Sequence, residues 1–185
     1  MSKLFRTTLW ILSGVGLIAF LVQTLSTFLI SPLMGLLSLL IAAVLVALVI
    51  YLLQRSPMWA RPARLWALLA FLWGGGVAVA LALISSGPVM QLAIGSGWVD
   101  SMMSWSGAYP EEISKATGVI FVLMSFRQLN RPWHGWIVGA VVGLGFEACE
   151  NILYGAMGAT MHPDSDIQGL VEMWGLRLIA GPGLH

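Results

Sequence analysis

Residues 7–54 read TTLWILSGVGLIAFLVQTLSTFLISPLMGLLSLLIAAVLVALVIYLLQ, a run of 48 residues without a charged side chain. A helix rises about 1.5 Å per residue, so this run is much longer than one crossing of a hydrocarbon layer about 30 Å thick requires. Ser31-Pro32 divides the run, because proline interrupts helical hydrogen bonding. The sequence therefore predicts a hairpin of two transmembrane helices, over about residues 9–30 and 33–53.

The composition of the whole chain extends this prediction. Of 185 residues, 58% are hydrophobic and 9% are charged, and the mean hydropathy is +0.89. Soluble domains carry about 25% charged residues, so a soluble globule is excluded. The formal net charge of +1 gives no basic surplus for nucleic acid. We expect an all-α fold, a polytopic transmembrane helical bundle.

Four further apolar segments predict four more spans, which makes six in this chain. The last span is unfinished at His185, which favours a truncated chain. Tryptophan and methionine are frequent in the segment before the fourth span, which is typical of an interfacial segment. The third, fourth and fifth spans cover about residues 65–85, 110–126 and 134–154, and the sixth begins near residue 171. We expect one transmembrane domain over residues 1–185, with three spans in 1–86, an outer interfacial segment over 87–109, and the motif-bearing spans in 110–185.

The basic residues predict the orientation of the chain. Seven of the nine Lys and Arg residues lie outside the predicted spans, and alternating spans place all seven on one side. By the positive-inside rule this side is cytoplasmic, so the N-terminus is expected inside. The seven residues are Lys3, Arg6, Arg55, Arg61, Arg64, Arg127 and Arg131.

Five ionisable residues fall within the fourth and fifth spans: Glu111, Glu112, Lys115, Glu147 and Glu150. An unpaired charge at the centre of a transmembrane helix costs about 2.5 to 3.5 kcal/mol, so such groups face partners or a water-filled cavity. Lys115 follows Glu111 by four residues and Glu112 by three, which places it beside both carboxylates on the helix surface. A salt bridge that helps the helix insert is the structural alternative to a functional cluster.

A stripe of residues spaced by four runs along the fifth span. Its glycines would let a neighbouring helix approach closely, and its polar end indicates the wall of a polar site. At about 1.5 Å per residue, both groups of charges lie roughly 18 to 26 Å from the inner boundary and therefore share one layer near the outer face. The stripe consists of Gly135, Gly139, Gly143, Glu147 and Asn151.

At these residues the sequence resembles a known family. Residues 110–115, Pro-Glu-Glu-Ile-Ser-Lys, resemble the Glu-Glu-x-x-Lys motif of the PrsW family of bacterial intramembrane proteases. Residues 143–154, GLGFEACENILY, are similar to the second motif of that family, and Arg177 with His185 resembles the third. The resemblance covers about residues 107–185. It implies a fold related to the CAAX prenyl endopeptidase group, a multi-pass protein of the bacterial cytoplasmic (inner) membrane, and cleavage of membrane-anchored substrates such as anti-sigma factors.

Peptide hydrolysis needs an activated water, a stabilised oxyanion and a proton for the leaving amine. We expect Glu111 or Glu112 to act as general base, with Lys115 holding the pair. Glu150, Asn151 and His185 are expected to face the scissile carbonyl. The full set of candidate catalytic residues is Glu111, Glu112, Lys115, Glu147, Glu150, Asn151 and His185.

The favoured mechanism uses no cofactor. The alternative within the enzyme class is a catalytic zinc held by Glu112, Glu150 and His185, since two carboxylates and an imidazole can bind zinc and leave a position for water. Two other classes remain open: a proton-coupled transporter with the Glu and Lys residues as its relay, and a catalytically inactive scaffold. The expected partners are a membrane-anchored protein substrate and the lipid bilayer, without nucleic acid. The oligomeric state is left open.

Overall fold

The computed structural model describes residues 3–184, with side chains up to residue 179. Within these residues the chain forms helices and no strand, which confirms the all-α prediction. Seven helices follow one another: α1 (Lys3–Ile30), α2 (Pro32–Arg55), α3 (Arg64–Gly95), the short α4 (Met102–Ser106), α5 (Ala108–Ser125), α6 (His134–Met161) and α7 (Asp166–Leu184).

The predicted hairpin is present as α1 and α2. Ser31 separates the two helices, and Pro32 occupies the first turn of α2, where its missing N–H would have no helical acceptor. Large apolar side chains such as Leu25, Leu29 and Val44 are exposed on this hairpin. Such an exposed apolar surface is suited to lipid.

Four helices of the described chain are long and apolar enough to cross a membrane: α1, α2, α3 and α6. Helix α5 has 18 residues and carries Glu111, Glu112 and Lys115, and α7 is less apolar. A span count of six therefore stays a prediction.

Helix α3 is longer than the sequence predicted. It continues past Ser85 to Gly95, through Pro88, and so includes the first part of the segment expected at the interface. Its middle turn, Trp73–Ala78, is π-helical and brings three consecutive glycines into the core. A Cβ atom at Gly74 would overlap the backbone carbonyl of Val142, so the missing side chain lets α3 touch the backbone of α6.

Helix α6 lies at the centre of the bundle and contacts all the other long helices. The face that carries Val138, Val142 and Cys149 is buried in the main apolar core, together with Trp66 and Trp73 of α3. This packing presents a different face of α6, the one with the predicted stripe, towards α5 and the surface.

Candidate active site

A tryptophan of the π-helical turn fixes helix α5, which carries the first charged motif. The indole N–H of Trp73 donates a hydrogen bond of 3.0 Å to the carbonyl of Ser114, and the ring stacks on Phe121 with a centroid distance of 5.3 Å. A Cβ atom at Gly118 would overlap the same indole ring. Trp73 is 1% exposed and cannot move aside, so it sets the position of α5 along α3.

Lys115 is the buried centre of an ion-pair cluster. Its Nζ lies 2.7 Å from Oε1 of Glu112 and 3.9 Å from Oε2 of Glu111, as the spacing of three and four residues predicts. The same Nζ lies 4.0 Å above the ring of Phe146, which belongs to the second motif on α6. The two carboxylates and the face of the ring compensate a lysine that is only 7% exposed.

Beside this cluster, a groove of about 860 Å³ runs between α5 and α6. Glu112, Lys115 and Glu147 contribute its polar groups. The side chain of Glu112 is 56% exposed and that of Glu111 is 21% exposed, so Glu112 is the more accessible carboxylate of the pair. The groove therefore has ionisable side chains in an otherwise apolar lining.

The three glycines and Glu147 of the stripe line this groove, and the expected close approach of a neighbouring helix does not occur there in the described structure. A Cβ atom at Gly135 or Gly143 would meet no atom within 4 Å, and at Gly139 it would meet only Val119, at 3.9 Å. Close backbone contacts of α6 occur elsewhere, as at Gly145 against the carbonyl of Phe71. The reason is that the opposite face of α6 is the one buried against α3.

A second cluster joins α6 to α7 through Arg177. Its Nη2 donates to Oε2 of Glu150 at 2.7 Å, and its Nε donates to Oδ1 of Asn151 at 2.6 Å. The guanidinium also lies 4.8 Å from the centroid of the Tyr154 ring. The side chains of Arg177 and Glu150 are each 17% exposed, so this is a largely buried ion pair.

The two motifs meet where Nζ of Lys115 on α5 lies over the ring of Phe146 on α6, and Arg177 lies over Tyr154 further along α6. The structure therefore brings both motifs to one region, as their predicted depths require. Within that region Glu112 and Glu147 line the groove, whereas Glu150 and Asn151 are held by Arg177. His185 lies outside the described residues.

Arg177 is the site residue that the sequence prediction did not include among the catalytic candidates. The sequence associated it only with the third motif. The sequence did contain a signal for this role: Arg177 is the one basic residue of the last helix. A buried cation in a membrane protein requires an anionic partner, so a pairing with a carboxylate of the site could have been expected.

Two of the three residues in the zinc ligand set that the sequence suggested as an alternative are described, and each is paired with a basic side chain. Glu112 is paired with Lys115 and Glu150 with Arg177, each at 2.7 Å. Among the residues described, no three His, Cys, Asp or Glu side chains converge as metal ligands do. The third proposed ligand, His185, is outside this range.

A helical membrane bundle with carboxylates, a lysine and an arginine gathered beside a groove belongs to the class of membrane proteins that carry acid–base groups within their spans. The chain belongs to the PrsW family: the family model described as "PrsW family intramembrane metalloprotease" matches residues 62–185. The protein is thus an intramembrane protease. The match covers α3 to α7 and leaves out the hairpin of α1 and α2. No curated protein and no solved structure matches the chain.

Proposed function

We propose that this protein is an endopeptidase that hydrolyses membrane-anchored protein substrates at the groove between α5 and α6, with Glu112 activating the attacking water. The observation that supports this is the position of Glu112. Its carboxylate is accessible from the groove and is held at 2.7 Å by the buried Lys115. A general base must lie within hydrogen-bonding reach of the attacking water, and a carboxylate that faces the groove meets this requirement.

In this mechanism Glu112 accepts a proton from water while the water oxygen bonds to the scissile carbonyl carbon. The carbonyl oxygen becomes an oxyanion, and Glu112 returns the proton to the amide nitrogen as the C–N bond breaks. Glu111 is the second candidate for the base. Glu147 provides another carboxylate in the groove.

Asn151 is the proposed oxyanion donor. Arg177 has only N–H donors, so the oxygen of the Asn151 amide must face it and the amide nitrogen points elsewhere. An amide N–H aimed at a developing oxyanion is worth about 2.7 to 4 kcal/mol in a serine protease. Glu150 then acts as a positioning residue that holds Arg177. The role of His185 towards the carbonyl stays a prediction.

We further propose that the protein spans the bacterial cytoplasmic membrane with its N-terminus inside, and that its substrates include anti-sigma factors. The orientation is supported by the arginines at one end of the bundle, since Arg6, Arg61 and Arg127 line a common pocket there. Glu112 lies at the other end of α5, so the groove chemistry would occur near the outer face.

The test is co-expression with a panel of single-span membrane proteins that carry a different epitope tag at each end. Glu112→Gln keeps the shape of the side chain but cannot accept the proton, so cleavage should fall by at least about a hundredfold. Glu172→Gln, an exposed change on α7, is the matched control and should cleave normally. Full cleavage by Glu111→Gln, Glu112→Gln and the double variant would contradict the proposed base.

The family description makes metal-dependent hydrolysis the second candidate. Exhaustive chelation and metal analysis of purified, active protein separate the two mechanisms. Activity that survives chelation supports the glutamate mechanism. Activity that is lost with the chelator and restored by added zinc would replace it.

A further inference from the structure

Four arginines from different segments line one pocket at the end of the bundle where α5 finishes. The pocket has a volume of about 1110 Å³, and Trp59, Leu65 and Phe126 provide apolar wall. We call it the basic pocket. Its arginines are Arg6 of α1, Arg61 of the α2–α3 connection, Arg64 of α3 and Arg127 of the α5–α6 connection.

None of the residues that line this pocket is acidic. Residues 1–99 contain no Asp or Glu, and the eight acidic residues begin at Asp100. Residues 125–134, which form the rest of this end, also contain none. Within the described structure these four arginines form no ion pair. Converging like charges raise the local potential, which an anion from outside relieves.

Hydrogen bonds between the connections give the basic pocket its shape. The amide of Gln128 donates to the carbonyl of Pro62 at 3.2 Å and so joins the α5–α6 connection to the α2–α3 connection. Trp66 donates to the carbonyl of Ala60 at 3.0 Å, and its ring packs on Trp59 with a centroid distance of 4.7 Å. A pocket whose walls are already joined loses little entropy when it binds a ligand.

We propose that the basic pocket binds the phosphate headgroup of an anionic phospholipid. Guanidinium groups bind phosphate oxygens in a fork geometry. The apolar wall of Trp59, Leu65 and Phe126 suits the glycerol and the first part of an acyl chain. A soluble phosphate shares the headgroup chemistry but has no apolar part to cover this wall.

The experiment uses the full chain in nanodiscs made from an equimolar mixture of phosphatidylglycerol and phosphatidylcholine. Native mass spectrometry after mild detergent release measures which lipid the protein retains. The pocket variant is Arg61→Gln/Arg127→Gln. The matched control is Arg55→Gln/Arg131→Gln, which removes the same charge at the same end from residues that lie over Tyr51 and Trp133, outside the basic pocket.

The wild-type protein should retain phosphatidylglycerol in preference to phosphatidylcholine. Each arginine near an anionic headgroup is worth about 1 kcal/mol, so the pocket variant should bind phosphatidylglycerol at least about tenfold more weakly. The control should stay within about threefold of the wild type, because its charges act only at a distance. Equal losses in both double variants, or equal retention of the two lipids, would overturn the proposal.

Two further arms keep the result decisive. Soluble glycerophosphoglycerol and inorganic phosphate are added as competitors, and complete displacement of phosphatidylglycerol by either would assign the pocket to a soluble phosphate and overturn the lipid assignment.

Arg61→Lys/Arg127→Lys keeps the charge and replaces the glutamine variant if that variant does not fold. Its loss of the fork geometry should weaken retention at least about threefold, and unchanged retention would contradict the proposed arginine contacts.

Discussion

Removal of Arg177 should destabilise the protein strongly, because one guanidinium holds two side chains of α6. Arg177 donates to Glu150 at 2.7 Å and to Asn151 at 2.6 Å, and it lies over Tyr154. Glu150 is 17% exposed at its side chain, so Arg177→Met would leave a largely buried carboxylate without its cation. Helix α7 would also lose its polar attachment to α6.

The magnitude follows from these contacts. Breaking a buried ion pair by removing one partner costs about 3 to 5 kcal/mol. The unsatisfied oxygen of Asn151 adds about 1 to 3 kcal/mol, and the lost contact with Tyr154 about 0.5 to 2 kcal/mol. These terms are not additive, since the side chains can relax together and some solvent reaches the pair. We expect the free energy of unfolding to fall by about 3 to 4 kcal/mol.

The assay is unfolding in mixed micelles by titration with dodecyl sulfate, followed by tryptophan fluorescence. Glu172→Gln is the matched control on the same helix, because Glu172 is 59% exposed at its side chain and accepts a hydrogen bond from Gln168 at 2.9 Å. It should change stability by less than about 1 kcal/mol. The double variant Arg177→Met/Glu150→Met buries no charge and should recover part of the loss. Unfolding of Arg177→Met at the same dodecyl sulfate fraction as Glu172→Gln would refute this reasoning.

Two glycine substitutions test the packing and the groove. Gly118→Ala should cost about 1 to 3 kcal/mol in the same titration, because its Cβ atom would overlap Trp73, whereas Gly135→Ala meets open space and should be neutral or slightly stabilising. Equal effects of these two changes would contradict the described position of α5. Gly143→Leu fills the groove beside Glu147, so cleavage of co-expressed substrates should fall at least about tenfold while the unfolding transition is kept. Normal cleavage by this variant would exclude the groove as the route of the substrate.

Features that depend on one helix could be predicted from the sequence. The hairpin of α1 and α2 followed from the length of the uncharged run and from Pro32, because helix rise is fixed and membrane thickness varies by only a few ångströms. The contact of Lys115 with Glu111 and Glu112 followed from their spacing for the same reason. Positions three and four residues apart lie together on any α-helix.

Features that depend on two helices were decided by the tertiary structure. The glycine stripe predicted close helix packing, yet its glycines line a groove, because the close contacts at Gly74 and Gly145 bury the opposite face of α6 against α3. The bond of Arg177 to Glu150 joins residues 27 positions apart on different helices. A spacing along the chain determines neighbours within a helix, but the faces that two helices present to each other depend on how all their side chains pack.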